Sequence, residues 1–392
     1  MDFTLSKEHL MARQLFREFA QNEVKPIAAE IDEEEKFPEE NVKKMAKLGF
    51  FGIPVPKEYG GQGADVLTYA MCIEEMSKVC ATTGVIISAH TSLCIDPIMH
   101  FGTEAQKMKY VPDLASGKKI GAFGLTEPGA GTDAQGQQTT AVLDGDHWVL
   151  NGSKIFITNA GYADVFIVIA VTGIVKDKKG RSVKEISAFI VERGFPGFSV
   201  GKHEKKMGIR GSSTCELIFE DCIVPKENLL GPKGKGFSIA MGTLDGGRIG
   251  IASQALGIAQ GAYEEAVKYA RTREQFGKPI GAQQNLAFKL ADMLTKLEGA
   301  RLLIYKAAEK KEHHEDYSLD SAIAKLYASD IALEVVNAAL QIHGGSGFIK
   351  GMPVEKMYRD AKITTIYEGT NEIQRLVIAS KILGKLGKAS RS

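Results

Sequence analysis

A chain of 392 residues with 44% hydrophobic and 25% charged side chains can bury several cores, which excludes wholesale disorder and predicts two or three domains. Its 49 basic and 48 acidic residues leave a formal charge of +1, so no net field exists to hold nucleic acid or an anionic membrane, and any anionic ligand must be gripped locally. Cys72, Cys80, Cys94, Cys215 and Cys222 form no Cys-x-x-Cys pair and predict small buried thiols in a reducing compartment, with no disulfide and no metal site. The opening residues MDFTLSKEHL lack the apolar run of a signal peptide or membrane span, so the expected location is cytoplasmic.

From Ser6 to about Ser116, apolar residues recur at three and four positions, as in Leu10-Met11-Leu15-Phe16-Phe19 and Val42-Met45-Leu48, and predict a helical first domain over 1–120. Pro26, Pro54 to Pro56 and Gly60 to Gly63 are its connectors. A middle β domain over 121–232 is predicted from Trp148 to Leu150, Ile155 to Thr158, Val165 to Ile169 and Ala188 to Val191. Asp144-Gly145 and Asn151-Gly152 read as hairpin turns, and the charged stretch from Lys176 to Lys184 as an exposed loop. Helical periodicity returns over 233–392, with long segments at Ala282 to Lys310 and Ser318 to His343. The small residues from Gly250 to Gly257 suit a packed bundle or a subunit contact.

Five segments can carry chemistry. Phe123 to Ala134 is a glycine-rich loop with hydroxyls at both ends, able to cradle a phosphate or the edge of a flavin; an ordinary surface loop fits as well. Gly246-Gly247-Arg248 reads as opening a helix and Arg273-x-x-Phe276-Gly277 as closing one, each placing an arginine where pyrophosphate can be clamped, with solvated arginines as the alternative. Gln341-Ile342-His343-Gly344-Gly345 reads as a helix C-cap with a structural histidine. In Ile366 to Glu372, Glu368 follows an apolar lead-in, and burial there raises a carboxylate toward the pKa that a base needs. Spacing alone favours a simpler arrangement in which Thr370 or Asn371 caps a helix and Glu368 or Glu372 faces its positive end.

Taken together and in this order, the five segments resemble the acyl-CoA dehydrogenase family over essentially the whole chain, particularly its short-chain, butyryl-CoA-type members. The resemblance implies an α+β multidomain fold with an N-terminal helical domain, a middle β-barrel-like domain and a C-terminal four-helix bundle. It implies an FAD enzyme that converts butyryl-CoA to crotonyl-CoA reversibly, Glu368 taking the α-proton while the β-hydride passes to flavin N5. The Glu368 N–H and a ribityl hydroxyl of FAD are implied donors to the thioester oxygen. The matching FAD positions are Phe123, Leu125, Thr126, Gly131, Thr132, Phe156, Ile157, Thr158, Arg273, Phe276, Gln284, Gln341, Gly344, Gly345, Thr370 and Glu372, with Arg273 to Gln284 reaching the FAD of a neighbouring subunit. Thr132, Asp245, Arg248 and Gly369 match positions against acyl-CoA, Arg248 near its nucleotide end, and side chains around Ser88 to Pro97 shape the acyl pocket. A homotetramer built as a dimer of dimers and electron exchange with an electron-transferring flavoprotein are also implied.

Two residues depart from the butyryl-type pattern: Ser346, where relatives carry an aromatic, and Asp96, expected as a helix-turn or solvent-facing acid that would become a second acid or base if it faced the pocket. Dehydrogenases of branched, cyclic or decarboxylated acyl-CoAs, an acyl-CoA oxidase, and a non-catalytic flavin- or CoA-binding scaffold are the rival readings. The retained Glu368 speaks against the scaffold.

Overall fold

The structure, a computed structural model, describes residues 4–177 and 179–384, so residues 1–3 and 385–392 of the outer domains, and Lys178 of the charged stretch, lie outside the described residues. The first part is helical: α1 (Lys7–Phe19), α2 (Ala28–Glu33), α3 (Glu39–Lys47), α4 (Val66–Ser77), α5 (Ala81–His90), α6 (Asp96–Phe101) and α7 (Glu104–Ala115). Local chemistry sets the helix starts: Ser6 caps α1 by accepting from the His9 N–H, and Thr103 and Gln106 form a reciprocal capping box on α7. The Pro54 to Gly63 connector falls between α3 and α4, with Gly60 and Gly63 at positive φ. Helix α4 is buried on nearly all its faces because elements pack around it from both ends of the chain.

Eight strands follow: β1 (Gly121–Gly124), β2 (Thr140–Asp144), β3 (His147–Thr158), β4 (Val165–Lys176), β5 (Ser182–Glu192), β6 (Phe198–His203), β7 (Thr214–Pro225) and β8 (Leu229–Leu230). They form one sheet ordered β6-β7-β3-β2-β4-β5-β8, with β1 running parallel to β4. Asp144-Gly145 lies in the tight β2–β3 hairpin, where Asp144 pairs with His147. Asn151-Gly152 is not a turn: it lies inside β3 at a register shift against β7, and Gly152 takes φ 137°. The conformational freedom that suits a turn here serves a bulge instead. The charged stretch is also less of a loop than expected, since β4 runs to Lys176 and β5 begins at Ser182.

The last part holds α8 (Gly236–Thr272), a short hairpin of β9 (Glu274–Gln275) and β10 (Lys278–Pro279), then α9 (Gln284–Glu312), α10 (Ser318–His343), α11 (Pro353–Ala361) and α12 (Asn371–Leu383). Helices α8, α9 and α10 pack on one another, and α12 packs on α10. The small residues of α8 face α4 and α5 of the same chain: a Cβ at Gly257 would lie 2.4 Å from the Glu74 carbonyl oxygen, and one at Gly250 would lie 2.3 Å from Ser88 Oγ. That close approach brings the first and last parts of the chain together over the site described next.

Candidate active site

Glu368 stands on a turn between the short 3-10 segment Lys362–Thr365 and α12. Thr370 caps α12, accepting from the Ile373 N–H at 3.4 Å, so the capping arrangement exists and leaves Glu368 outside it. Glu368 adopts φ 51° and Gly369 φ 90°. A left-handed non-glycine residue costs roughly 1–3 kcal/mol and persists where its surroundings over-determine it. Here they do: Gln374 Nε2 donates to the carbonyls of Glu368 (3.2 Å) and Gly369 (2.9 Å), and Lys325 Nζ donates to Gly369 O (2.9 Å) and Asn371 Oδ1 (2.8 Å). On the preceding residue, the Tyr367 hydroxyl bonds Gln254 of α8.

The turn aims the Glu368 carboxylate at α8. A Cβ placed on Gly247 would sit 2.1 Å from Glu368 Oε2 and 2.9 Å from Leu93 Cδ2, so glycine is what leaves room there. Oε2 is buried without a hydrogen-bond partner in the structure. Burial raises the carboxyl to a pKa of about 8, with the charges of Lys325 and Arg248 opposing the rise. Arg248 departs from expectation. It lies well inside α8 rather than opening a helix, its guanidinium is buried against Asp245, and Glu368 acts on its charge. Gly246-Gly247 reads as a helix start in sequence, yet both residues are spacers within a continuous helix.

Successive turns of α8 meet polar side chains of other helices. A Cβ on Gly246 would meet Lys311 Nζ at 2.7 Å and Asp96 Oδ2 at 3.4 Å. Asp96 is therefore not solvent-facing: it pairs with Lys311 at 3.0 Å against α8. Further along stand Tyr69 and Ser88, joined at 3.2 Å, and then Gln254, all buried.

A second cradle lies on the β domain. Phe123 and Leu125 are buried at the end of β1, where the chain turns at Glu127 to Ala130, while Gly131 and Thr132 are exposed. The Ile155 N–H donates to the Thr126 carbonyl at 2.8 Å, which fixes this loop to a bulge in β3 between Lys154 and Ile157. At the bulge Phe156 takes φ 60° and is 61% exposed, while Ile157 is buried and Thr158 half-buried. Sequence reasoning missed the group that holds the loop: buried Lys154 donates to Glu127 at 2.7 Å, to the Leu125 carbonyl at 3.2 Å and to Gln137 at 3.1 Å. It missed Lys325 too. A Cβ on Gly129 or Gly131 would meet nothing within 4 Å, so the loop offers backbone and hydroxyl groups to open space beside an exposed aromatic ring. Those features fit a flat, polar-edged ring system such as the flavin of FAD.

The remaining matched positions are not gathered there. Arg273 follows α8, and Phe276, 92% exposed, forms the tip of the β9–β10 hairpin with Gly277. Gln284 is exposed at the start of α9, and Gln341, Gly344 and Gly345 are exposed at the end of α10. Twenty-five residues of helical rise put Arg273 about 37 Å along the α8 axis from Arg248. His343 is structural as expected, buried with Nδ1 2.8 Å from the Ala339 carbonyl and stacked on Tyr269. Ser346 lies exposed in the 3-10 segment Gly344–Phe348.

Family models described as the N-terminal, middle and C-terminal domains of acyl-CoA dehydrogenase match residues 6–118, 122–222 and 234–383. A short-chain specific acyl-CoA dehydrogenase from Clostridium acetobutylicum is 61% identical over 382 residues, spanning 97% of this chain and 100% of its own. The structure of butyryl-CoA dehydrogenase from Megasphaera elsdenii matches with a TM-score of 0.94 at 50% identity, covering 98% of this chain and 100% of that one. A chain from a structure described as the electron transferring flavoprotein of Acidaminococcus fermentans matches with a TM-score of 0.94 at 53% identity, with coverage of 98% and 100%.

Proposed function

The chain belongs to the acyl-CoA dehydrogenase family, and from that premise we propose that it dehydrogenates a short straight-chain acyl-CoA, butyryl-CoA first, with Glu368 as the base. The observation that carries this reading is the buried Glu368 carboxylate, without a partner on Oε2 and aimed at the gap that Gly247 leaves beside Leu93. Such a carboxylate is poised for a proton that only the substrate brings. FAD is the cofactor, and when bound it supplies the acceptor for the β-hydride.

The protein's own residues do the rest. Ionised Glu368 takes the α-proton, and the burial that raises its pKa makes it a stronger base than a solvated carboxylate. The acyl chain would lie beside Leu93 and the gap at Gly247, with the Tyr69–Ser88 pair further along α8, an arrangement that would suit a short chain. Thr126, Gly131, Thr132, Phe156 and Thr158 would hold the flavin. Arg273, Phe276, Gln284, Gln341, Gly344 and Gly345 would serve the FAD of a neighbouring subunit, a role supported by the reach of α8 and consistent with a dimer-of-dimers tetramer. Electrons would be exchanged with an electron-transferring flavoprotein. The division into 1–120, 121–232 and 233–392 follows the change from helix to strand and back. A cytoplasmic location is part of the same reading; among the described residues no helix is long and apolar enough to cross a membrane.

The test is anaerobic reduction of the purified holoenzyme by butyryl-CoA, followed in the visible flavin band, for wild type and Glu368→Gln. The wild type should bleach and the variant should react about a thousandfold more slowly. Because the base must be ionised, kcat/KM should fall as pH drops below about 8. Equal rates in the two proteins would remove Glu368 from the chemistry, and a protein that takes up no FAD would defeat the whole reading.

A further inference from the structure

Lys325 is a buried cation that the reaction as described leaves unused. It shares a face of α10 with buried Ser321, Ala328, Ser329 and Ala332, and its side chain has no exposed surface. An ammonium in such a place is costly unless its surroundings compensate it. Its hydrogen bonds run to two neutral oxygens, Gly369 O and Asn371 Oδ1, and both belong to the segment that carries Glu368 into α12. Asn371 is itself held by Ser329 and Asp330, so the lysine's contacts are fixed from behind. The electrostatic tie is reciprocal: of the charges acting on Lys325, Glu368 is the leading one, and of those acting on Glu368, Lys325 leads.

Other charges face the same region. Arg248 and Asp245 on α8 form their own pair, Asp330 on α10 is engaged by Asn371 and Arg375, Glu372 lies in the first turn of α12, and buried Tyr69 and half-buried Tyr367 lie nearby. Two cations act on Glu368: Arg248, which is also paired with Asp245, and Lys325, which leads.

We propose that Lys325 is the positioning residue for Glu368: its ammonium pins the left-handed Glu368–Gly369 turn through the Gly369 carbonyl and keeps a positive charge behind the carboxylate, so that the base is ionised when the thioester arrives. This rests on the reading of Glu368 as the base. Burial disfavours the charge on both groups, pulling the lysine down and pushing the carboxyl up, while their mutual attraction opposes both shifts.

The experiment uses FAD-loaded Lys325→Met, Lys325→Gln and Lys325→Arg. The Glu368 carboxyl is titrated by isotope-edited infrared spectroscopy, with its band assigned by loss in Glu368→Gln, and kcat/KM for butyryl-CoA is measured against pH. The Met and Gln variants should shift both the carboxyl midpoint and the acid limb of kcat/KM upward by about one pH unit, about tenfold less base at a given acidic pH. The Arg variant should titrate at or below the wild-type midpoint. A rate that falls equally at every pH with unmoved midpoints would make Lys325 structural only and overturn the proposal. If the Met and Gln variants do not fold, the Arg variant decides, and a midpoint above wild type would overturn it. Glu368→Gln keeps the two ideas apart: wild-type flavin reduction in that variant defeats the base reading, whereas its loss beside unshifted lysine variants defeats only the role of Lys325.

Discussion

In the β domain Glu127 meets Lys154 at 2.7 Å and also accepts from the N–H groups of Gln138 (2.6 Å) and Thr139 (3.0 Å), while in the helical part Lys325 bonds the backbone beside Glu368 and leaves its carboxylate bare. Both lysines are buried, and burial lowers both, to about 8 for Lys154 and about 7 for Lys325. The carboxylates answer in opposite directions. Burial acts to raise Glu127, but Lys154 and the hydrogen bonds outweigh it and hold the group below the usual range; Glu368 lacks those bonds and rises to about 8. The same pair of residue types thus makes a clamp where both carboxylate oxygens are engaged and a carboxylate with a bare oxygen where they are not.

The firmest way to break this contrast is to disarm the clamp. Lys154→Met should leave Glu127 buried without its countercharge and cost about 3–5 kcal/mol in denaturant unfolding, with Glu127→Gln added to it recovering part of the loss. Next in size, Gly247→Ala should cost about a hundredfold in the rate of flavin reduction, because the new methyl group occupies the space of Glu368 Oε2 while the fold remains intact. The smallest effect concerns stability. The Glu368 carboxyl titrates at about 8 when folded and about 4.5 when unfolded, so the folded state holds the extra proton between those values and its stability falls as pH rises through that window. Glu368→Gln should therefore raise Tm by a few degrees at pH 8 and by less at pH 5. A gap that stayed constant with pH would mean that the carboxyl is not desolvated.

Much of this organisation was legible in the sequence, and the misses share a cause. The long periodic segments predicted at 282–310 and 318–343 appear as α9 and α10 because amphipathic periodicity is a local property. Arg248 was misplaced because two glycines look like a helix start, and only the packing of α8 against Leu93 and Glu368 shows why they sit inside a helix. Lys154 and Lys325 find their partners 27 and 44 residues away, distances over which a single sequence carries no signal. Lys325 did leave one trace, a lysine set among Ser321, Ala328, Ser329 and Ala332 on a face otherwise free of charge. The capping reading of Thr370 and the proposed role of Glu368 were posed as rivals, yet they do not compete, since the cap and the proposed base are different residues of one turn.

Helix α8 carries the glycine that faces Glu368 in its first half and leads into the Phe276 hairpin at its end, without interruption. An α-helix turns by about 100° per residue, so one residue gained or lost between Gly247 and Arg273 would swing the hairpin about a quarter of the way round the axis while moving it by only about 1.5 Å. Length changes in this stretch are thus governed by phase more than by distance. Single-residue insertions should be far more damaging than their size suggests, and those near a whole number of turns should be the ones a gene can keep.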